Sequence, residues 1–286
     1  MAIKLLTKKL GILLTIISVS AGIQAAGGGE TLSANINPED QISLQRGAKT
    51  YMNYCLACHS MQYMRYEKLV DGVGIPPEIV ESNLMFTGEK ISDHITNNLP
   101  EADAQSWFGK VPPDLTLAAR VRGADWLYTY LISYYADEKR PFGVNNTLFK
   151  DVGMPHVLAP LQGKQVKTAA AKEVEAKIAA ATMAIGAAKQ AKDSAKVDSQ
   201  MAILHDAEMA LADLKANNEY FAIAEAGTLS PEEYDTLVRD LVNFMDYAAE
   251  PMKLERQALG IKVIIFLLFF LAISYFLKKE YWKDVH

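Results

Sequence analysis

The sequence predicts a mainly α-helical protein with an exported domain and one C-terminal membrane anchor. Three observations support this fold class: proline-led helix starts near residues 37 and 230, an alanine-rich stretch over 164–219, and an apolar run over 258–277. Half of the 286 residues are hydrophobic and the net charge is −5. This composition argues against disorder, and against a nucleic-acid partner, because nucleic-acid binding needs a basic patch.

The N-terminal end has the layout of a secretory signal peptide. Three lysines precede a ten-residue apolar run from Leu10 to Val19, and small residues follow as far as Ala26. An uncleaved anchor helix is the alternative, but the run is too short to cross about 30 Å of hydrocarbon. We therefore expect residues 1–26 to be a cleaved signal peptide.

The segment after the signal leads into the first predicted helix. Residues 27–35 are polar and rich in glycine, so they are expected to form a flexible spacer. Asn37 then has the character of a helix cap, with Pro38 at the first helical position and acidic residues in the first turn. This helix would run toward Tyr54 and deliver the chain to Cys55.

Cys55, Cys58 and His59 form the haem-attachment pattern C-x-x-C-H. The two thiols can add across two vinyl groups on one edge of a haem, and His59 would then lie beneath the ring and coordinate the iron. A thioredoxin-like redox pair is the competing interpretation, but it favours a βαβ context that is not visible here. Two cysteines are also too few for a disulfide framework or a four-ligand zinc site.

The middle of the chain predicts loops and one helix. Residues 71–113 contain repeated glycine and proline and are mostly acidic, with Glu78, Glu81 and Glu89 among seven acids against two lysines. Such a surface can steer a basic electron acceptor, although a merely solvated acidic loop is an equally simple interpretation. A helix is predicted over 125–135, with a loop after it over 139–163.

Residues 164–219 differ in character, with 17 alanines, no proline and one glycine. Apolar residues recur at helical spacing in two groups: Val174, Ile178, Ala181 and Ile185, then Leu204, Ala207, Leu211 and Leu214. A polar patch separates the groups. The pattern predicts an antiparallel helical hairpin with narrow apolar seams, and it contains no motif that suggests chemistry.

The C-terminal part predicts two more helices. Ser230-Pro231-Glu232-Glu233 is a capping box with proline at the first helical position. The run over 258–277 is about 30 Å long as a helix, enough for a membrane span, and basic and aromatic residues follow it. We predict a transmembrane anchor over 257–278. If the signal peptide exports the preceding chain, residues 27–256 are periplasmic and 279–286 form a cytoplasmic tail.

The second axial ligand decides what a haem at this site can do. An open position would allow peroxide chemistry, whereas a methionine closes the site and raises the reduction potential. Position and context leave Met85 and Met154 as candidates, without a clear choice between them. His94 and His156 are less favoured, since a second histidine would give a haem of lower potential.

Several motifs in the right order resemble the cytochrome c1 family over about 40–162 and 228–286. They are Tyr54-Cys55-Leu56-Ala57-Cys58-His59-Ser60-Met61, Val111-Pro112-Pro113-Asp114-Leu115, Arg120-Val121-Arg122-Gly123, Gly153-Met154-Pro155, Ser230-Pro231-Glu232-Glu233-Tyr234 and Ala249-Glu250-Pro251. The resemblance implies a class I cytochrome c fold, with Gly47 and Tyr51 packed against the helix that carries Phe244. It marks residues 164–226 as a helical insertion.

The resemblance also implies the site residues. One haem c would be bound covalently through Cys55 and Cys58, with His59 and Met154 as the iron ligands. Arg120 or Arg122 would contact a haem propionate, which suits a cation meeting a buried carboxylate.

The function implied is that of the haem c subunit of bacterial quinol–cytochrome c reductase, the cytochrome bc complex. Its partners would be cytochrome b, the Rieske iron–sulfur subunit, a cytochrome c acceptor and the lipid bilayer, with one pass through the bacterial inner membrane. This is a redox subunit without bond-making chemistry of its own. The alternative is an anchored c-type cytochrome that serves a terminal oxidase or a dehydrogenase.

Overall fold

The computed structural model describes residues 31–283, so the predicted signal peptide and the last three residues of the tail lie outside the described residues. The described chain is mainly helical, and a single long apolar helix follows the folded domain. The predicted fold class is thereby confirmed.

The elements before the insertion are short apart from the first helix. In chain order they are α1 (Gln41–Tyr54), β1 (Met61–Arg65), α2 (Glu67–Asp71), α3 (Pro77–Asn83), β2 (His94–Ile95), α4 (Glu101–Phe108), α5 (Ala118–Arg122), α6 (Ala124–Ile132), β3 (Tyr134–Ala136), β4 (Val144–Asn146) and α7 (Ala159–Gln162). The remaining elements are β5 (Gly163–Lys167), α8 (Ala169–Gln190), α9 (Ser194–Ala216), β6 (Phe221–Ala226), α10 (Pro231–Ala249) and α11 (Lys253–Tyr281). Within residues 31–283, three antiparallel strand pairs form: β1 with β2, β3 with β4, and β5 with β6.

The core lies where α1 crosses α10. A Cβ atom at Gly47 would lie 2.0 Å from the Asp240 carbonyl oxygen, so only glycine allows this close approach. One turn later, the Tyr51 ring packs 5.9 Å from the Phe244 ring, and both side chains are fully buried. The Arg46 guanidinium binds the buried carboxylate of Asp240 at the same crossing.

Helix α1 begins later than its cap motif predicts. Asp40 caps it, accepting a hydrogen bond from the Ser43 backbone N–H at 3.0 Å. The predicted cap, Asn37, is wrong, because its side chain accepts from the Glu39 N–H and its carbonyl from the Asp40 N–H. These bonds form a separate turn before the helix.

The described part of the predicted flexible spacer, residues 31–35, is docked on the domain. The Leu32 N–H donates to the Thr129 hydroxyl at 2.8 Å, and the Ala34 N–H donates to the Asp125 carboxylate at 2.7 Å. Arg239 of α10 donates to the Ser33 carbonyl at 3.0 Å. The prediction of a flexible spacer is therefore wrong for residues 31–35, because side chains distant in sequence form hydrogen bonds with their backbone.

Two middle segments are more structured than expected. The loop-rich stretch 71–113 contains α3 and α4 as well as β2. Helix α6 ends at Ile132 rather than Tyr135, and the chain continues as β3, paired with β4 from Tyr134–Asn146 to Ala136–Val144. The Gln165 side chain satisfies two backbone carbonyls at this ending, donating to Ile132 at 3.0 Å and to Tyr134 at 2.6 Å.

The insertion consists of α8 and α9, joined by a short turn and packed on each other. Ala181, Ile185 and Ala207 of the seams are buried. The sequence did not indicate the strand pair β5–β6 at its base, where Lys167 lies opposite Phe221. The insertion thus leaves the domain and returns to it at adjacent positions.

The C-terminal helices match their sequence signals. Ser230 and Glu233 form the predicted capping box at the start of α10, with hydrogen bonds of 2.8 and 3.2 Å. Helix α11 is 29 residues long, and none of its side chains is buried by the rest of the chain. Its length and apolar composition suit a membrane span.

Candidate haem site

The two thiols lie at the C-terminal end of α1. Cys55 caps the helix through a hydrogen bond from its N–H to the Tyr51 carbonyl, and the His59 N–H donates to the Cys55 carbonyl at 2.9 Å. This tight turn brings both cysteines and His59 together. Neither cysteine forms a disulfide, so both thiols are available for another covalent bond.

The protonation of the thiols disfavours the redox-pair interpretation. Burial raises the pKa of Cys55 to about 12 and also raises the pKa of Cys58. A reactive C-x-x-C pair needs the reverse, a thiol pKa lowered at the start of a helix. The pair here follows the end of a helix and has raised thiol pKa values, so it does not fit a reactive redox pair.

His59 is held in the tautomer that binds metal. Its Nδ1 lies 2.7 Å from the Pro113 carbonyl oxygen, which can only accept, so Nδ1 carries the proton. Nε2 is left with a free lone pair for iron. Burial lowers the pKa of His59, so the imidazole is neutral, and the Tyr51 hydroxyl fixes the backbone by donating to the His59 carbonyl at 2.6 Å.

The loop that carries Pro113 is bonded to the chain just after the haem motif. The Leu115 N–H donates to the Ser60 carbonyl at 2.8 Å, and the Gln62 N–H donates to the Asp114 carboxylate at 2.7 Å. The rigid Pro112-Pro113 pair therefore presents its carbonyl to His59 from a fixed position.

The candidate second ligands have different surroundings. Met85 packs against the hydrophobic core and His94 is exposed. His156 is stacked on Tyr134 at 4.6 Å, and its Nε2 bonds to Gln162 at 2.6 Å. Met154 is half-buried, and its sulfur accepts a hydrogen bond from the Tyr130 hydroxyl at 3.5 Å.

The two arginines point to different neighbours. Arg120 is 61% exposed and lies 3.4 Å from the carboxylate of Glu250, at the end of α10. The Arg122 guanidinium lies over the Trp126 ring at 5.0 Å. Both side chains are thus on the surface around α5 and α6.

Comparison with known proteins shows to which family the chain belongs. The Cytochrome C1 family model matches residues 33–285, nearly the whole chain. The chain belongs to the cytochrome c1 family. Cytochrome c1 of Allochromatium vinosum is 45% identical over 282 residues, which cover 98% of this chain and 100% of that relative.

Two further relatives carry other printed names. The ammonia monooxygenase gamma subunit of Nitrosomonas europaea is 38% identical over 88% of both chains. Cytochrome b/c1 of Bradyrhizobium diazoefficiens is 23% identical over 86% of this chain, which corresponds to 34% of that longer protein.

Membership of the cytochrome c1 family confirms the expected cofactor and role. The chain binds one covalent haem c, is the haem subunit of the cytochrome bc complex, and is anchored to a membrane by its C-terminal helix. The residues fit this cofactor: two free thiols, an imidazole with a free Nε2 and a thioether. Within residues 31–283, no group of three or more His, Cys, Asp or Glu side chains forms a competing metal site.

Sequence reasoning missed three supporting residues. Pro113 was quoted for the resemblance, but nothing in the sequence indicated that its carbonyl would hold His59. Tyr130 and Tyr134 fall within the helix predicted over 125–135, but neither residue was assigned a role at the site. Their spacing from Trp126, four and eight residues, would place all three on one face of a helix.

Proposed function

We propose that this cytochrome c1 holds its haem through Cys55, Cys58, His59 and Met154, and passes single electrons from the Rieske iron–sulfur subunit to a cytochrome c. When bound, the haem supplies a one-electron redox couple. Cys55 and Cys58 would bind it covalently, and His59, held by its bond to the Pro113 carbonyl, would ligate the iron together with Met154. With both ligands supplied by the protein, water and oxygen would be kept from the iron.

The fixed tautomer of His59 is the observation that carries this proposal. A neutral imidazole with its Nδ1 proton bound to a backbone carbonyl cannot rotate freely or exchange tautomers. Its Nε2 is therefore preorganised for one metal bond, one residue after the second thiol. A structural histidine would not need this arrangement beside two free cysteines.

Replacing Met154 with alanine tests the ligand assignment. We expect loss of the methionine-to-iron charge-transfer band, a lower reduction potential and new peroxidase activity, because the iron gains an open position. Met85→Ala is the matched control, and it should keep the band since Met85 is partly buried against the core. Survival of the band in Met154→Ala would remove Met154 from the ligand set.

Arg120 or Arg122 is proposed to contact a haem propionate. Removing a cation from a propionate favours the ferric state and lowers the reduction potential. Arg120→Gln and Arg122→Gln should therefore differ, with the larger fall marking the residue at the propionate. Equal potentials in both variants and the parent protein would dismiss both assignments.

Cytochrome b and the Rieske subunit are the proposed partners. The Bradyrhizobium relative supports this pairing, because its printed name joins cytochromes b and c1. Purification of this chain from its native membrane should recover a b-type cytochrome and a Rieske protein. Recovery of an oxidase or a dehydrogenase would support the alternative, and recovery of an ammonia monooxygenase would extend the Nitrosomonas name to this chain.

Three exposed acids of the 71–113 stretch are proposed to steer the cytochrome c acceptor. Glu78, Glu81 and Glu89 are all exposed. Reversing their charges should slow electron transfer to a basic cytochrome c at low salt and flatten the dependence of the rate on salt. Charge reversal at Asp198, Asp206 and Glu208 of the insertion changes the net charge equally and serves as the control.

The haem domain is proposed to lie on the periplasmic side of the inner membrane, after cleavage of residues 1–26. Mass analysis of the mature subunit reports both the cleavage and the haem. Protease added to intact spheroplasts should digest the domain, and protection of the domain would reverse the proposed orientation.

A further inference from the structure

The hydroxyl of Tyr130 lies beside the sulfur of Met154. The oxygen-to-sulfur distance is 3.5 Å, within range for a hydrogen bond to the large sulfur atom. A thioether sulfur has two lone pairs and accepts weakly. If one lone pair binds iron, the second remains available to a donor on the protein side.

Neighbouring groups hold Tyr130 in this position. Its ring is stacked on Trp126, with centroids 5.1 Å apart and planes 11° from parallel. Asn146 donates to the Tyr130 carbonyl at 2.7 Å. The hydroxyl therefore has little freedom to turn away from Met154.

Tyr134 determines which way the Tyr130 proton points. The Tyr134 hydroxyl donates to the Tyr130 oxygen at 2.7 Å, which leaves the Tyr130 proton free for the sulfur. Tyr134 is itself fixed by the stacked ring of His156 at 4.6 Å. Burial raises the pKa of both phenols, so both remain protonated donors at physiological pH.

We propose that Tyr130, backed by Tyr134, is a positioning residue that raises the reduction potential by donating a hydrogen bond to the sulfur of Met154. This inference rests on the proposed role of Met154 as an iron ligand. The hydrogen bond would withdraw electron density from the sulfur, and the positive end of the O–H dipole faces that sulfur. Both effects disfavour the ferric state, which depends more on electron donation.

Tyr130→Phe in the full-length, membrane-bound protein tests the inference. The charge-transfer band should remain, and the equilibrium constant for reduction should fall at least threefold, which is about 28 mV at 59 mV per tenfold for one electron. Tyr128→Phe is the matched control. It lies on the same helix, but its hydroxyl bonds to Asp235 and Arg239 instead, so its potential should equal that of the parent protein.

A second variant covers the case in which Tyr130→Phe does not fold. Tyr134→Phe keeps the Tyr130 hydroxyl but removes the donor that orients it, so the potential should move in the same direction by a smaller amount.

The inference is overturned if the potentials of Tyr130→Phe and Tyr128→Phe are equal while the band remains. It is also overturned if Tyr130→Phe folds but loses the band, since the hydroxyl would then be required for coordination itself. Met154→Ala separates this failure from failure of the proposed function. If that variant keeps the band, the ligand assignment fails, whereas loss of the band there leaves only the tuning role in question.

Discussion

The haem-binding region and the insertion over 164–226 are both helical, yet their interfaces differ in kind. Where α1 meets α10, large side chains such as Tyr51, Leu241 and Phe244 are at most 1% exposed. Where α8 meets α9, most of the buried side chains are alanines, at positions 171, 181, 188 and 207. A buried methyl group removes far less apolar area from water than a phenyl or isobutyl group, so the insertion gains less free energy per residue.

This difference explains why the proposed haem ligands lie in one region. Holding an imidazole or a thioether at a fixed position needs neighbours that are themselves immobile, as Tyr51 and Tyr130 are. A pair of helices with one narrow seam leaves its polar side chains in water, as the exposed pair Glu173 and Lys177 shows. The insertion therefore presents mainly exposed side chains, and none of the proposed haem-binding residues lies in it.

The largest expected effect comes from filling the closest contact in the haem-binding region. Gly47→Ala would place a methyl group 2.0 Å from the Asp240 carbonyl oxygen, so α1 and α10 cannot keep their crossing. We expect loss of assembled holoprotein, measured as covalent haem per milligram of membrane protein.

Gly186→Ala, in α8, is the matched control, because a Cβ there meets no atom within 4 Å. It should stabilise the insertion by about 0.5–1 kcal/mol, since alanine favours the helix over glycine. Normal haem content in Gly47→Ala would contradict the structure at its core.

Truncation of one buried side chain in each region gives the next effect. Leu241→Ala should lower the free energy of unfolding by about 2–5 kcal/mol, the usual cost of a cavity in a deep core. Ile185→Ala should cost less than half of that, because the seam between α8 and α9 is thin and open to water. Urea unfolding followed by haem absorbance and by circular dichroism measures both values. Equal losses of unfolding free energy in the two variants would contradict the difference between the two regions.

A smaller effect is expected at the base of the insertion. Lys167 is mostly buried between the Glu175 carboxylate, 2.8 Å away, and the Tyr135 ring, 4.3 Å away. Lys167→Met leaves Glu175 partly buried without its cation, at a cost of about 1–3 kcal/mol. Lys177→Met, at an exposed ion pair, should change stability by less than about 0.5 kcal/mol. Proteolysis between α8 and α9 reports whether the base has loosened.

The smallest effect, on the haem itself, is expected from removing the insertion altogether. Lys167 and Phe221 are paired across β5 and β6, so an Asn-Gly turn can join them in place of residues 168–220. The spectrum and potential of the haem should not change. A shifted potential would show that the insertion supports the site after all.

The features predicted from sequence are those written in a few consecutive residues. The C-x-x-C-H motif, the Ser230 capping box and the apolar anchor each depend on local chemistry, and family motifs added the expectation for Met154. Apart from the local shift of the α1 cap from Asn37 to Asp40, the features that were missed join distant residues. Leu32 donates a hydrogen bond to Thr129, 97 positions away, and Gln165 donates to the Ile132 carbonyl at the end of α6, 33 positions away. No local pattern contains such contacts.

The joint between the domain and the membrane helix has a consequence for electron delivery. Helix α10 ends at Ala249 and α11 begins at Lys253, and ion pairs cross the gap, including Lys253 with Asp246 at 2.6 Å and Arg256 with Glu250. A linker of three residues with ion pairs across it is not a long flexible linker. With α11 in the membrane, we expect the domain and its haem to stay near one height above the lipid, so that a donor or an acceptor has to move to reach it.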